Sequence, residues 1–418
     1  MITRLKTYLA AVLLFTRRLN QWLLIEVALL LARLLRRNTQ KQPIWLVAER
    51  ADEARDNGYH FFRYLCQNHS EIRAIYAITK DSSDIERVTG LGETVNWGSF
   101  RHYLYWALAE VTASAHVNDA APVARRAWDA KKAEHIEHVS VFLQHGVIAI
   151  QLPGFMTSTL HSFDLIATSA PRERQFLADH TPHVRALRLT GLCRHDALHN
   201  LQPPKPQILL MPTWRREFRE LIGRHGRKLA LRQFRETEYY QVFDALLQSP
   251  ALHNLLERFD YELVFYLHSG AKDFLEAFSA NSPRVHIAAP EQNDIQSLLK
   301  ESHIMITDYS SVAFEFVYME KPLLYLLPDA DFFDKHVKPA YFDLERDGLG
   351  PVTRNASDAV HELQALLERQ GQAEPVYAER IKGFYPPKDA GACERTFQTI
   401  TEMLKSRQHA HPRSEEEQ

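Results

Sequence analysis

Short apolar runs alternate with longer stretches of mixed polarity along most of the chain, beginning at Pro43. Before residue 200, the runs with the length of a strand are Ile44–Ala48, Ala74–Ile78, Val111–Ala115, Val139–Leu143, Leu165–Thr168 and Ala186–Leu189. After residue 206 they are Gln207–Met211, Glu262–Leu267, Arg284–Ile287, His303–Thr307 and Pro322–Leu327. Segments of helical length lie between most of them, in the second half around 235–257, 271–279, 293–301 and 311–319. This alternation is typical of parallel α/β sheets, so it predicts two doubly wound, Rossmann-like lobes.

A proline-rich stretch separates the two sets of strands. Residues 201–206 read Leu-Gln-Pro-Pro-Lys-Pro, and prolines lack the backbone donor that a helix or central strand needs. We therefore predict an N-terminal lobe over 42–202 and a C-terminal lobe over 203–400, with ligands bound in the cleft at the carboxyl ends of the strands. Residues 401–418 end in a low-complexity polar run and are predicted to be a disordered tail.

The first 41 residues differ in character from the rest of the chain. They carry two interrupted apolar runs and a single acid, Glu26, against eight basic residues: Arg4, Lys6, Arg17, Arg18, Arg33, Arg36, Arg37 and Lys41. Neither run reaches the ~20 apolar residues that a spanning helix needs, and Arg17 and Arg18 stand where a signal peptide would be cleaved. The pattern favours an amphipathic segment, 1–41, on an anionic membrane surface; the alternative is a helix packed on the protein's own body.

Composition narrows the classes of function. The 418 residues contain 50 lysines and arginines against 52 aspartates and glutamates, so no global charge indicates a nucleic-acid binder. Three widely spaced cysteines imply no disulfide framework, and no motif indicates a structural metal. These features suggest a protein at the membrane face of a reducing cytoplasm.

Polar residues follow several predicted strands at the point where each strand ends. Thr307-Asp308-Tyr309-Ser310-Ser311 joins a strand to a predicted helix beginning at Ser310 or Ser311. Unpaired N–H groups and hydroxyls at such a junction can hold phosphate oxygens, although simple capping of the helix by serine is the structural alternative.

Three further junctions carry candidate chemistry. His145, followed by Gly146, ends one strand and suits a general base for a hydroxyl, although isolated histidines more often serve structure. His268 ends a second strand. Thr213 and Arg215 follow a third, where an arginine can fork onto phosphate oxygens or remain a surface charge.

The motifs at these junctions resemble, in order, those of the CDP-glycerol glycerophosphotransferase family, whose members build teichoic acids and phosphate-linked capsules. The resemblance runs from about Trp45 to about Arg395. It rests on the segments A-R-D-N-G-Y-H-F-F (54–62), Q-H-G (144–146), T-G-L-C-R-H-D (190–196), P-T-W-R (212–215), L-H-S-G (267–270) and D-Y-S-S-V-A-F-E-F-V-Y-M-E-K-P-L-L-Y (308–325).

This resemblance implies a GT-B-like fold, with the acceptor bound in the first lobe and CDP-glycerol or CDP-ribitol in the second. It also implies a role for each matching residue. His145 is the catalytic base and His268 a second essential histidine, while Ser310, Ser311, Thr213 and Arg215 lie near the phosphates. Asp308 and Glu315 position the loop or the alditol, and Arg194 and Asp196 shape the lobe junction. No cofactor and no metal are expected.

The expected reaction is attack by an acceptor hydroxyl on the β-phosphorus of the CDP-alditol, with CMP released, at the cytoplasmic face of a bacterial membrane. The acceptor is lipid-linked or polymeric. This chain reads His145-Gly146-Val147 where the family usually continues H-G-T, and Cys193 where it usually has proline, so the acceptor or the alditol can differ. The competing hypotheses are a GT-B glycosyltransferase that uses a nucleotide sugar and a catalytically silent scaffold of envelope assembly.

Overall fold

A computed structural model of the protein describes residues 20–35, 42–117, 120–122, 138–151, 160, 163–181, 184–213, 215–267, 269–289, 293–329, 338–339 and 341–410. Within these residues the chain forms two lobes, each with its own parallel sheet. The prediction of two doubly wound lobes is therefore confirmed.

The first lobe is built on a seven-stranded sheet with the order β3-β2-β1-β4-β5-β7-β8. The strands of the first half of the chain are β1 (Ile44–Ala48), β2 (Arg73–Ile78), β3 (Glu93–Asn96), β4 (Val111–Ser114), β5 (Val139–Phe142), β6 (Ile150–Gln151, outside this sheet), β7 (Leu165–Thr168) and β8 (Ala186–Leu189). The six predicted strands all occur. The edge strand β3 was not predicted because its sequence, Glu-Thr-Val-Asn, buries only Val95 and lacks the apolar run of a central strand.

Helices cover both faces of this sheet. They are α1 (residues 20–35), α2 (Asn57–Asn68), α3 (Ile85–Thr89), α4 (Phe100–Leu108) and α5 (Pro171–His180), and a 3₁₀ helix (Cys193–Leu198) follows β8. Asp56 caps α2, since its side chain accepts a hydrogen bond from the backbone N–H of Asn57. The start of α2 thus lies at the carboxyl end of β1, on the edge of the sheet where the predicted cleft opens.

The second lobe has a six-stranded parallel sheet with the order β11-β10-β9-β12-β13-β15. Its strands are β9 (Lys205–Met211), β10 (Glu262–Tyr266), β11 (Val285–Ala288), β12 (Ser302–Thr307), β13 (Leu323–Leu326) and β15 (Val352–Thr353). Strand β14 (Lys338–Pro339) pairs antiparallel with β6 and so joins the two lobes. The predicted linker is shorter than expected: Lys205 already pairs with Ser302, and Pro206 is accommodated where the register between β9 and β12 shifts.

The helices of the second half are α6 (Arg216–His225), α7 (Arg227–Arg235), α8 (Glu238–Leu247), α9 (Pro250–Phe259), α10 (Ile295–Glu301), α11 (Val312–Tyr318), α12 (Leu344–Asp347), α13 (Ala356–Glu368), α14 (Pro375–Phe384) and α15 (Ala392–Ala410), with a 3₁₀ helix at Ser269–Ala277. The single helical segment predicted over 235–257 is two helices, α8 and α9. They separate at Ser249, which caps α9, and Pro250 occupies its first turn.

The last helix corrects two of the predicted boundaries. Helix α15 continues to Ala410, so residues 401–410 are ordered; 411–418 lie outside the described residues. Its apolar side packs on the first lobe, where Cys393 and Ile400 are buried in the same cluster as Trp45 and Phe61. The chain therefore returns to the first lobe at Ala392, before the boundary predicted at residue 400, because the apolar residues of α15 are buried in the core of that lobe.

Helix α1 has features of both alternatives considered for the N-terminal segment, since one side packs on the protein and the other exposes apolar side chains. Ile25, Ala28, Leu29 and Ala32 are buried against the first sheet. The opposite side exposes apolar residues: Trp22, Leu23, Val27, Leu30 and Leu34. Within the described part of the chain, no helix has both the length and the apolarity required to cross a membrane. Residues 1–19 and 36–41 of the predicted segment 1–41 lie outside the described residues.

Lys321 terminates α10 from outside that helix. Its ammonium group is buried and donates to the carbonyl oxygens of Leu299, Lys300 and Ser302, at 2.8, 2.6 and 2.7 Å. These groups at the end of a helix have no partner within the helix, and a lysine that reaches them fixes the entry into β12. The lysine of the K-P pair in the longest family-like motif is thus structural.

We expect Lys321→Met to lower the free energy of unfolding by about 1–3 kcal/mol, because it leaves buried carbonyl groups without donors. Urea unfolding followed by circular dichroism measures this change. The matched control is Lys205→Met, which removes an exposed pair with Glu301 and should change stability by less than about 0.5 kcal/mol. Equal effects of the two substitutions would contradict the role given to Lys321.

Candidate active site

The site in the first lobe is a sharp turn after β5. Gln144 has a left-handed backbone conformation, with φ of 64°, which is unfavourable for a residue with a side chain. Two contacts hold Gln144 in this conformation. Its side-chain amide donates to the backbone carbonyl of Ala167, and the side-chain amide of Asn57 donates to the backbone carbonyl of Gln144 at 2.7 Å. The turn directs His145 away from the buried strand, so that 51% of its side chain is exposed.

Asp56 binds the imidazole of His145 from the start of α2. Nδ1 of His145 donates to Oδ2 of Asp56, and Nη1 of Arg194 donates to Oδ1. Burial alone would raise the pKa of Asp56, but the Arg194 guanidinium and His145 hold that pKa well below its usual range. The carboxylate is therefore ionised when it meets the imidazole.

Arg194 extends this chain of charges across the cleft. Its Nη2 donates to Oε1 of Glu315 on α11 in the second lobe, while Nη1 also donates to the carbonyl oxygen of His145. Burial lowers the pKa of Arg194, but the two carboxylates outweigh it and raise that pKa. Burial raises the pKa of Glu315, and Arg194 opposes this shift. The four groups His145, Asp56, Arg194 and Glu315 thus form one polar network through both lobes, in which the imidazole is the exposed member.

The start of α11 touches the same turn. Helix α11 begins at Val312, one residue after the predicted limit, and the side chain of Ser311 makes no capping hydrogen bond. A Cβ atom added to Gly146 would lie 2.9 Å from Oγ of Ser311. Ser311 would have to move to admit that atom, so Gly146 allows the second lobe to pack this closely against the turn that carries His145.

A second cluster lies at the ends of β9, β12 and β13. Arg215 is buried and forms ion pairs with Asp308, at 2.9 Å, and with Asp329 through two hydrogen bonds of 2.7 Å. Asp308 also accepts a hydrogen bond from the backbone N–H of Thr213 at 2.7 Å. Burial lowers the pKa of Arg215, but these two carboxylates outweigh it and raise that pKa. The guanidinium of Arg215 therefore connects the loops that follow β9, β12 and β13. Its predicted contact with a phosphate stays a prediction.

The structure brings most of the predicted site residues to one edge of the cleft. His145, Gly146, Ser311 and Glu315 are linked directly or through Arg194, and the loop after β12 connects them to Asp308. Asp196, predicted at the lobe junction, accepts the backbone N–H groups of Ala392 and Cys393 and so caps α15. His268 lies outside the described residues, and its predicted role stays a prediction.

Two members of the site were missed by reasoning from the sequence. Asp56 belongs to the segment 54–62 that carries part of the family resemblance, yet no role was inferred for it. His116 follows β4, and its ring lies 4.4 Å from that of His145. Burial lowers the pKa of His116 to about 3, so this ring is neutral. The signal for Asp56 was present in the sequence, since an aspartate directly before a helix often caps it.

Asp56, His116 and His145 could together hold a metal ion, because one ligand atom from each lies within 4.8 Å of the others. The guanidinium of Arg194 already occupies one oxygen of Asp56, and its positive charge opposes a cation at that position. The arrangement suits proton transfer at His145, and the expected absence of a metal stays a prediction.

Comparisons of the sequence with known proteins give matches over most of the chain. Residues 29–402 match the family described as CDP-Glycerol:Poly(glycerophosphate) glycerophosphotransferase. The chain is 26% identical over 378 residues to the minor teichoic acid biosynthesis protein GgaB of Bacillus subtilis, covering 87% of this chain and 40% of that protein. It is 29% identical over 202 residues to the teichoic acid poly(glycerol phosphate) polymerase of Bacillus spizizenii, covering 42% of this chain and 44% of that protein. The chain thus spans less than half the length of these relatives.

Solved structures show the same architecture. A structure of the wall teichoic acid polymerase TagF has a TM-score of 0.67 at 17% identity, over 94% of this chain and 97% of that chain. UDP-GlcNAc 2-epimerase from Neisseria meningitidis has a TM-score of 0.56 at 14% identity, over 86% of this chain and 100% of that one. At these identities the likeness concerns the fold, and it confirms the expected two-lobed, GT-B-like architecture.

The contact between Gly146 and Ser311 yields a stability test. We expect Gly146→Ala to lower the free energy of unfolding by about 1–3 kcal/mol, because the added methyl group overpacks the lobe junction. Adding Ser311→Gly should recover most of the loss by removing the atoms that collide with it. The control is Gly223→Ala in α6, where a Cβ meets no atom within 4 Å; it should raise stability by about 0.5–1 kcal/mol. Denaturant unfolding of these three variants and of the wild-type protein compares their stabilities, and a double variant no more stable than Gly146→Ala would contradict the contact.

Proposed function

The chain belongs to the CDP-glycerol:poly(glycerophosphate) glycerophosphotransferase family, and from this premise we propose that it transfers glycerol phosphate, or another alditol phosphate, from a CDP-alditol to an acceptor hydroxyl. The product is a phosphodiester of a teichoic acid or a related capsule polymer, and CMP is released. The observation that carries the proposal is the imidazole of His145, backed by an ionised carboxylate and facing the cleft beside Ser311. This is the arrangement that activation of a hydroxyl requires.

His145 acts as the general base. Its Nε2 accepts the proton of the acceptor hydroxyl, and the oxygen attacks the β-phosphorus of the CDP-alditol in line with the leaving group. The new phosphorus–oxygen bond forms as the bond to CMP breaks, and the bonding electrons leave with the CMP oxygen. General-base catalysis of this kind typically contributes about 10² to 10⁴ in rate.

Hydroxyl groups of the second lobe contact the donor diphosphate. Ser310 and Ser311 lie at the start of α11, and Oγ1 of Thr213 has no hydrogen-bond partner among the described residues. Arg215 supplies little net charge, because Asp308 and Asp329 both neutralise it. The charge that develops on CMP is therefore balanced mainly by hydroxyl and backbone N–H donors, with His268 as a further predicted contact.

The names of the relatives support the proposed donor and acceptor classes. The family name and two relatives described as poly(glycerol phosphate) polymerases support CDP-glycerol, while a relative described as a ribitol-phosphate primase, 24% identical over 185 residues, supports CDP-ribitol. The acceptor in this proposal is a lipid-linked primer or a growing polyol-phosphate chain. A nucleotide-sugar glycosyltransferase is the competing enzyme, and donor trials separate the two.

We propose a peripheral position on the cytoplasmic face of the membrane, and the exposed apolar side of α1 supports the membrane contact. Trp22, Leu30 and Leu34 are 50%, 59% and 69% exposed, although each is a side chain that burial would stabilise. The buried side of α1 fixes the helix to the first sheet, so insertion of the exposed side into a lipid surface would hold the acceptor lobe near a lipid-linked substrate.

We expect His145→Ala to reduce transfer of glycerol phosphate from labelled CDP-glycerol to a lipid-linked primer by at least about 10²-fold. Binding of CDP-glycerol should persist, as measured by the ligand-induced rise in melting temperature, because the donor contacts lie in the second lobe. The control is His361→Ala on the exposed surface of α13, which should leave turnover unchanged.

A His145→Ala variant with near-normal turnover would refute the assignment of the base. If wild-type protein transferred a sugar from a nucleotide sugar and no alditol phosphate from CDP-glycerol or CDP-ribitol, the proposed reaction itself would be wrong. Mass analysis of the product distinguishes these outcomes.

We expect Leu30→Glu with Leu34→Glu to weaken binding to vesicles containing phosphatidylglycerol by about tenfold or more, because each leucine buried in the lipid contributes about 1.5–3 kcal/mol. Co-sedimentation with the vesicles measures the binding. Leu229→Glu, which changes an exposed leucine of the second lobe, is the control and should bind as wild type does. Equal binding of all three proteins would show that α1 does not contact the membrane.

A further inference from the structure

The bond between Asp56 and His145 determines which imidazole nitrogen can act on a substrate. An ionised carboxylate only accepts hydrogen bonds, so the contact between Oδ2 and Nδ1 requires the proton on Nδ1. Nε2 then carries the lone pair. Because the side chain of His145 is half exposed while that of Asp56 is nearly buried, the free nitrogen belongs to the side of the ring that faces the cleft.

The position of Asp56 is fixed from several directions. Its backbone N–H donates to Oε1 of Glu49 at 2.7 Å, and its Oδ1 accepts from the backbone N–H of Asn57, also at 2.7 Å. Arg194 binds the same Oδ1 and carries the positive charge that keeps the carboxylate ionised. If the carboxylate of Asp56 rotated away from His145, it would lose its hydrogen bonds to the backbone N–H of Asn57 and to the buried guanidinium of Arg194.

We propose, building on the transfer reaction above, that Asp56 is the positioning residue of this enzyme: it holds His145 in the Nδ1-protonated tautomer and stabilises the imidazolium that forms. In the chemical step the hydroxyl proton moves to Nε2, the hydroxyl oxygen bonds to the β-phosphorus, and CMP departs with the electrons of the broken bond. Asp56 remains a carboxylate throughout. The imidazolium later returns its Nε2 proton to solvent or to CMP.

Several charged groups surround His145 and bear on its response to pH. Asp56, at the start of α2, contacts the ring, and Arg194 contacts the backbone carbonyl of His145. Glu315 on α11 interacts electrostatically with His145 without touching the ring. The neutral ring of His116, after β4, lies beside the ring of His145. Among these groups, Asp56 is the carboxylate in direct contact with the ring, so its removal should dominate any change in the pH profile.

The test is Asp56→Asn, which preserves the size of the side chain and removes its charge. A neutral amide can donate to Nδ1 and so favour the unproductive tautomer; we expect kcat to fall about 10²- to 10⁴-fold, with KM for CDP-glycerol changed by less than about threefold. The acidic limb of the kcat/KM profile should move to lower pH, because loss of the anion makes the protonated imidazole less stable. In ¹⁵N-histidine NMR, the signal assigned by its absence in His145→Asn should change from an Nδ1-protonated to an Nε2-protonated ring.

The matched control is Asp84→Asn. Asp84 is a buried carboxylate that binds the same segment of chain, through Arg55 and through the backbone N–H of Ala54 at 3.0 Å, but it does not touch His145. It should lower stability in urea unfolding, leaving kcat within about threefold and both the pH profile and the His145 signal unchanged.

Three results would overturn the inference: an Asp56→Asn enzyme with kcat within about threefold of wild type, an unshifted pH profile, or an unchanged tautomer. Equal effects of Asp56→Asn and Asp84→Asn would assign Asp56 to structure alone. The NMR measurement needs no substrate, so a tautomer change in a protein that transfers no alditol phosphate would show that the proposed reaction had failed while the contact with His145 is as described.

Discussion

The burial of Arg194 is the constraint on which the site depends. A guanidinium removed from water is stable only when carboxylates neutralise it, and Arg194 has one on each side of the cleft: Asp56 in the first lobe and Glu315 in the second. Removing either carboxylate would leave a buried charge partly uncompensated, at a cost of about 3–5 kcal/mol in comparable cases. The charge state of Asp56, the orientation of His145 and the approach of α11 therefore depend on one side chain.

The remainder of the junction reinforces this arrangement with contacts of different kinds. Val147 and Ala149, directly after the His145 turn, are buried in an apolar cluster with Phe316 and other residues of the second lobe. Strands β6 and β14 pair across the lobes, and Asp196 caps a helix, α15, that returns from the second lobe to the first. Apolar burial, backbone pairing and capping thus act together where the ion pairs are, which makes the relative position of the lobes part of the site.

The alternation of apolar runs was sufficient to predict the two sheets, because central strands of parallel sheets are buried on both faces and read as continuous apolar segments. The same reasoning could not find β3, whose edge position permits polar residues, or the return of α15 to the first lobe. His145, Ser311 and Glu315 were identified from their motifs. The partner of His145 was not, because Asp56 is 89 residues away in sequence and only the fold brings the two together. Arg215 shows the same limit: its pairing with Asp329, 114 residues further on, could not be read from the sequence, and its predicted phosphate contact stays a prediction.

The distribution of charge explains how the two lobes can divide the chemistry. In the second lobe, Arg215 pairs with two carboxylates, Asp308 and Asp329, so its positive charge is already matched among the described residues. In the first lobe, Asp56 is balanced by Arg194, and the imidazole remains as the group that changes its charge during reaction. In the proposed reaction the donor diphosphate is then held mainly by hydroxyl and N–H groups, whose hydrogen bonds strengthen as water is excluded. Because the lobe junction seats α11 against the turn of His145, the proposed donor contacts and the alignment of the proposed base depend on the same inter-lobe contacts.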